Sequence, residues 1–384
     1  PYQAITLKYL LSEEEISRFA VNRYRLPGVE IRAQLVRHYP QEENFSHVLG
    51  YVGRINTQDQ EDLKSIELDK TNYAATDLIG KIGIERFYET ILHGEVGSQN
   101  VETNAHGRVL RILSETKPKP GLDLTLYLDA GLQKKIHELM GDRRGSVVVI
   151  DPTTGGILAM VSTPTFDPNP FVTGISNNDF ARLRDSEDLP LFNRSLQGRY
   201  PPGSIIKPII GLAGLHYGKI TASSTVADPG WYKLPNEDRL YRDWKKGGHG
   251  DFVNLHEAIA GSCDVFFYDL SYKLGVDKIY NFSSQFGLGS VSGIDSTHEN
   301  PGLLPSRQWK YNNKKLPWFP GETLNIGIGQ GYMLSTPLQL AVATATIANR
   351  GIVPIPKLVK PNQDIIQSKN EFGMLENKKI KKTP

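Results

Sequence analysis

Apolar positions recur at two periods along this chain, and each change of period marks an element. Ser12-Glu13-Glu14-Glu15 is a capping-box pattern followed by Ile16, Phe19 and Ala20, which predicts a helix over about 13–24, ahead of Leu26-Pro27-Gly28. Val29, Ile31, Ala33 and Leu35 then alternate with Glu30, Arg32, Gln34 and Val36, the period of a half-buried strand. Gly80 to Gly83 introduces Ile84, Phe87, Tyr88, Ile91 and Leu92 at helical spacing, and a polar stretch runs on to Arg111. Lys117-Pro118-Lys119-Pro120-Gly121 reads as a linker, because proline fixes the chain and withholds ladder donors. The expected domain boundary therefore separates 1–117 from 118–384.

Beyond it, Leu122, Leu124, Leu126 and Leu128 alternate with polar residues and predict a strand, while Leu132, Ile136 and Leu139 predict a helix. Ser146 to Ile150 and Ile157 to Val161 are apolar runs around Asp151-Pro152-Thr153-Thr154-Gly155-Gly156, a hairpin. Apolar residues three and four apart predict helices near 204–218, 254–274, 276–286 and 336–350, packed on a sheet. No internal repeat is visible.

At 384 residues the chain can bury a substantial core in two or three domains. Lys plus Arg (44) nearly balances Asp plus Glu (42), which argues against a nucleic-acid partner. The single cysteine, Cys263, forbids an intrachain disulfide. The longest apolar run, Leu338 to Ala348, falls short of the roughly 18 residues that cross a bilayer. The chain opens at Pro1, so a membrane anchor is expected upstream of it.

The candidate chemistry starts at Tyr200-Pro201-Pro202-Gly203-Ser204-Ile205-Ile206-Lys207-Pro208. Ser204 and Lys207 stand three apart where an apolar helix begins, a spacing that puts both on one face. A serine hydroxyl needs a base within reach to become a nucleophile, and a desolvated lysine can serve. The Ser-x-x-Lys pattern also occurs at Ser114 to Lys117, beside the polar linker, so the pattern alone is weak. A second polar triplet, Ser262-Cys263-Asp264, opens an aromatic helix further on.

Together the two motifs resemble those of the penicillin-interacting serine acyltransferases, and the wording around them is similar to the class B penicillin-binding proteins. Asp228-Pro229-Gly230-Trp231, Tyr241-Arg242-Asp243-Trp244 and Gly327-Ile328-Gly329-Gln330-Gly331-Tyr332 carry the likeness through the second half. Val48-Leu49-Gly50-Tyr51-Val52-Gly53 and Gly83-Ile84-Glu85-Arg86-Phe87-Tyr88 carry it through the first. The resemblance implies an α+β, multi-domain chain. Its second part, 118–384, would have a serine β-lactamase-like transpeptidase fold, an antiparallel sheet flanked by helices. A partial, elongated α/β pedestal of the dimerisation type would occupy 1–117.

The implied activity is D,D-transpeptidation of peptidoglycan stem peptides, with β-lactams as inhibitors, in the periplasm at the bacterial inner membrane. Ser204 would be the nucleophile, Lys207 the general base, Ser262 the proton relay and Asp264 the residue orienting the second motif. Implied partners are a RodA-type glycan polymerase and MreC. The family's third element, Lys-Ser/Thr-Gly, is missing; Lys382-Thr383-Pro384 has proline in place of the glycine, so the transpeptidase domain is expected to be incomplete at its C-terminus. Competing readings are a D,D-carboxypeptidase, a β-lactamase-type hydrolase, or a non-catalytic β-lactam-binding scaffold.

Asp228, Asp243, His249 and Cys263 are ligand types suited to structural zinc, although their spacing matches no standard finger. A buried small thiol and a loop histidine remain the alternative. The chemistry itself calls for no cofactor. His256-Glu257 lacks the second histidine of a zinc protease and is placed on a helix surface. Trp231, Tyr232, Trp244 and Trp318-Phe319-Pro320 either line a groove or belong to the core, and Lys378 to Lys382 read as a solvated tail.

Overall fold

The structure, a computed structural model, describes residues 6–33, 35–65, 72–73, 78–104 and 109–361. The basic run at Lys378 to Lys382 and the Lys382-Thr383-Pro384 triplet lie outside the described residues. The chain divides into two compact units: Pro1–Asp123 with Thr165–Leu191, and Leu124–Pro164 with Phe192–Pro384.

In the first unit Ser12 caps a helix over Glu13–Asn22, its side chain accepting from Glu15 N while Glu15 accepts from Ser12 N. The alternating segment after it forms no strand among its described residues. Ile31 is 38% and Leu35 100% exposed, so the period has no face to cover it. Short ladders join Val52–Arg54 to Leu78–Gly80 and Ser98–Thr103 to Val109–Thr116, the second placing a hairpin where the sequence shows only a polar stretch. Gly50 and Gly83 adopt positive φ, and a Cβ on Gly83 would lie 2.6 Å from the Val48 carbonyl oxygen. Two carboxylates are buried beside this crossing. Glu85 accepts from Arg37 Nε (2.6 Å) and Tyr39 Oη (3.1 Å), and Glu89 from Gly80 N (2.7 Å) and Tyr73 Oη (3.3 Å). Burial pushes the Glu89 carboxyl above its usual range. The 165–191 segment returns to this unit through Asn169, whose amide bonds both the N–H and the carbonyl of Tyr39.

In the second unit Gly145–Ile150 and Ile157–Thr163 form the expected antiparallel hairpin, pairing Val147 with Val161 and Val148 with Met160. Gln133, buried on the helix Ala130–Met140, bonds both the N–H and the carbonyl of Met160, satisfying a strand edge as a neighbouring strand would. The Leu122–Leu128 alternation yields only a single bridge, Leu126 to Val359. Two further ladders pair Thr225–Asp228 with Gly250–Asn254 and Trp231–Lys233 with Leu240–Arg242. Each ladder among the described residues has two strands.

The core is helical. Ile206, Ile209, Ile210, Phe266, Phe267, Leu270, Ile279, Phe282, Leu324 and Ile326 form one buried cluster joining the helices Lys207–His216, Asp264–Leu274, Val276–Ser283 and Pro320–Gly327. A Cβ on Gly327 would sit 1.7 Å from Ser271 Oγ, so glycine sets how closely the Asp264 helix meets the Pro320–Gly327 helix. The helix expected over 254–274 is two: Leu255–Ala260 and Asp264–Leu274, separated at Gly261-Ser262-Cys263. Apolar spacing continues across the break, but Ser262 has φ 55°, which ends one helix and redirects the next. Among the described residues no helix is long and apolar enough to cross a membrane.

Candidate active site and metal cluster

Ser204 lies in a 3-10 turn, Gly203–Ile206, that runs directly into the helix Lys207–His216. In a 3-10 turn residues three apart eclipse, so the turn aligns Ser204 with Lys207 more closely than an α-helix would. Gly203 N donates to the Gly329 carbonyl (2.9 Å), and a Cβ on Gly329 would be 2.2 Å from the Gly203 carbonyl oxygen. This backbone contact fixes the turn that presents the hydroxyl.

Lys207 is 1% exposed, and its Nζ lies 5.5 Å from the Phe267 ring centroid. It donates to Asp264 Oδ1 (2.6 Å), the Ser262 carbonyl (2.7 Å) and Ser262 Oγ (3.0 Å). Its ammonium bonds do not reach Ser204. Instead, Ser204 Oγ and Ser262 Oγ are 2.6 Å apart, so Ser262 is the hydroxyl that touches both. The three side chains are thus joined through Ser262, whose backbone is left-handed.

The other Ser-x-x-Lys pattern has no such setting. Ser114 is exposed on the strand Val109–Thr116, and its Oγ accepts from Asn100 Nδ2 (2.8 Å) across the hairpin. His256 and Glu257 are exposed on a helix, where Glu257 completes a capping box with Asn254.

Asp228, Asp243, His249 and Cys263 each bring one ligand atom to a common point, all within 4.8 Å of one another. Asp228 Oδ2 lies 2.8 Å from His249 Nδ1 and accepts from Cys263 Sγ (3.2 Å), and His249 Nδ1 is 3.6 Å from Asp243 Oδ1. Zinc–ligand bonds of about 2.0–2.3 Å in a tetrahedron put ligand atoms roughly 3.3–3.8 Å apart; the 3.2 and 3.6 Å separations lie near that range, and the 2.8 Å Asp228–His249 contact is one a bound ion would have to open. The second ring nitrogen, Nε2, lies 3.0 Å from the Gly261 carbonyl, the outer contact that orients a ligating imidazole. The donor set fits a metal ion.

Electrostatics agree. Burial pushes the Cys263 thiol well up, and Asp228 and Asp243 beside it add to this; a cation would reverse it. Burial alone would raise Asp228 too, but hydrogen bonds from His249, Gly230 and Cys263 outweigh it and hold the carboxyl below its usual range.

The cluster is tied to the second motif. Cys263 caps the helix Asp264–Leu274 through Sγ, accepting from Phe266 N (3.3 Å). Asp243 Oδ2 accepts from Asp264 N (2.7 Å) and Val265 N (3.2 Å). The aromatic residues divide: Trp318 is buried at 9% exposure, whereas Trp244 (64%), Phe319 (51%) and Trp231 (43%) are exposed.

Residues 145–384 match the penicillin binding protein transpeptidase domain, and residues 1–126 the penicillin-binding protein dimerisation domain. The chain is 48% identical over 358 residues to the peptidoglycan D,D-transpeptidase MrdA of Acinetobacter baumannii, covering 93% of this chain and 52% of that protein. It thus spans about half the length of the curated relatives it matches. Among solved structures it is similar to PBP2 of Pseudomonas aeruginosa (48% identity, TM-score 0.76, 86% of this chain and 68% of that one). It is also similar to PBP2 of Helicobacter pylori in complex with MreC (32% identity, TM-score 0.84, 94% of this chain and 68% of that one).

Proposed function

We propose, from the premise that the chain belongs to the class B penicillin-binding proteins of PBP2 type, that it carries the acylating serine of a peptidoglycan D,D-transpeptidase. The observation that carries this reading is the continuous path from Ser204 Oγ through Ser262 Oγ (2.6 Å) to Lys207 Nζ (3.0 Å).

Ser204 Oγ attacks the carbonyl carbon of the penultimate D-Ala of a stem peptide. Its proton passes through Ser262 to Lys207, which acts as general base once its ammonium has given up the proton it directs at Ser262 Oγ. When the carbon–nitrogen bond of the tetrahedral adduct breaks, the leaving D-Ala amine receives a proton along the same path. An amine of a neighbouring stem then attacks the ester, forming the cross-link and restoring Ser204. Asp264 holds the lysine head from the far side. A penicillin opened by Ser204 leaves an ester that occupies the serine.

Asp228, Asp243, His249 and Cys263 would hold one zinc ion, which when bound would take the Cys263 sulfur as thiolate and tie the end of the Thr225–Asp228 strand, Asp243 and His249 to the second motif. The family likeness further supports a periplasmic setting at the inner membrane and assembly with an MreC-type scaffold and a RodA-type glycan polymerase.

The test is labelling of the complete protein with a fluorescent penicillin. Wild type and the control Ser114→Ala are expected to label, and Ser204→Ala to stay dark. Full labelling of Ser204→Ala would refute the assignment.

A further inference from the structure

Ser262 is the pivot of the proposed site, and its backbone, at φ 55°, lies in the left-handed region that a residue with a side chain rarely adopts. Something must hold it there. The carbonyl before it, its own carbonyl and the amides of the next helix are gripped by two consecutive residues, Asp243 and Trp244. Trp244 Nε1 donates to the carbonyls of Gly261 (3.2 Å) and Ser262 (3.1 Å), while Asp243 Oδ2 accepts from the N–H groups of Asp264 and Val265. Packing does not explain the indole: at 64% exposure it is among the least covered large apolar side chains of the second unit. Its ring meets His249 edge-on at 5.8 Å.

We propose that Trp244 is a positioning residue for acyl transfer, its indole N–H fixing the Ser262 peptide so that Ser262 Oγ stays in line between Ser204 and Lys207. A carbonyl oxygen has two lone pairs, and at Ser262 they go to the Lys207 ammonium (2.7 Å) and the indole (3.1 Å). With the indole bond gone, the carbonyl is held by the lysine alone and the peptide can rotate about the left-handed residue. The hydroxyl then leaves the line. The lysine and the nucleophile remain in place.

The inference rests on the acyl-transfer reading. The test replaces Trp244 in the complete protein with benzothienylalanine, which keeps the ring shape and lacks the N–H, and with phenylalanine (Trp244→Phe). Stopped-flow acylation by a chromogenic cephalosporin separates the non-covalent constant Ks from the acylation rate constant k2, and melting is followed in parallel. Loss of the indole bond is expected to lower k2 roughly three- to tenfold, the net worth of one neutral hydrogen bond, with Ks and Tm unchanged. An isostere with wild-type k2 overturns the proposal. So does a defect confined to Ks, which would make Trp244 a substrate contact, or one that follows a fall in Tm, which would make it structural. Wild type that is not acylated at Ser204 refutes the acyl-transfer reading and this inference with it; an isostere that acylates as fast as an acylating wild type refutes this inference alone.

Discussion

Both units bury carboxylates beside turns of positive φ, and in the second unit one of those turns falls on a residue with a side chain. In the first unit the turns fall on Gly50 and Gly83, and a Cβ on Gly50 would lie 1.9 Å from the Ile82 carbonyl oxygen. Glycine there lets two backbones touch. The carboxylates nearby, Glu85 and Glu89, are satisfied by tyrosine hydroxyls, a backbone N–H and the half-exposed Arg37. In the second unit one such turn falls on Ser262, and the neighbouring carboxylate, Asp264, faces the buried ammonium of Lys207. Where glycine takes the positive φ, the structure gains proximity; where serine takes it, the structure gains the direction of a hydroxyl. Only the second arrangement ends in a group that can react.

Three perturbations sharpen this contrast. The largest effect is expected from Lys207→Met, which keeps the apolar stem and removes the amine. Acylation by a fluorescent penicillin should slow by about 10²-fold or more, the usual size of a general-base contribution. A near-normal rate would move the base elsewhere.

The second perturbation exchanges the two kinds of turn. Ser262→Gly accepts the left-handed backbone at least as well as serine, so its melting temperature should hold or rise, yet acylation should fall about tenfold or more with the relay gone. Gly83→Ala should do the reverse, costing about 2–4 kcal/mol of stability because its Cβ lies 2.6 Å from a backbone oxygen, with the acylation rate of the folded protein intact. If Ser262→Gly acylates normally, the distinction between the turns has no chemical content.

The smallest effect is expected at the metal cluster. Stripping the proposed zinc with a chelator, or Cys263→Ser, should lower Tm and acylation together, because Asp243 and Cys263 both bond the start of the helix that bears Asp264. Metal analysis of protein purified without added zinc gives the stoichiometry directly. A value near zero, with melting unchanged in chelator, would leave the four residues as a hydrogen-bonded cluster.

Much of this is legible in the sequence itself. The capping box at Ser12, the hairpin around Asp151, the helix begun near Ser204 and the Ser-x-x-Lys spacing depend on neighbours within a few residues, and near-neighbour chemistry is written in the order of the residues. The four ligand types can be named because thiol, imidazole and carboxylate are properties of side chains. Periodicity, however, reports which face of an element is apolar and says nothing of what will cover it. The alternation at Val29–Val36 therefore forms no strand among its described residues, and that at Leu122–Leu128 gives a single bridge.

Tertiary structure alone decided the rest. Continuous apolar spacing over 254–274 hides the break at Ser262, because the break is imposed by Asp243, Trp244 and Lys207, 18 to 55 residues away in sequence. For the same reason no local pattern shows that Lys207 meets Ser262 before Ser204, or that an exposed tryptophan grips the pivot. Residue types and short spacings fix what chemistry is available; which atoms meet depends on packing between distant segments, since a hydrogen bond needs placement to a few tenths of an ångström that only the assembled core supplies.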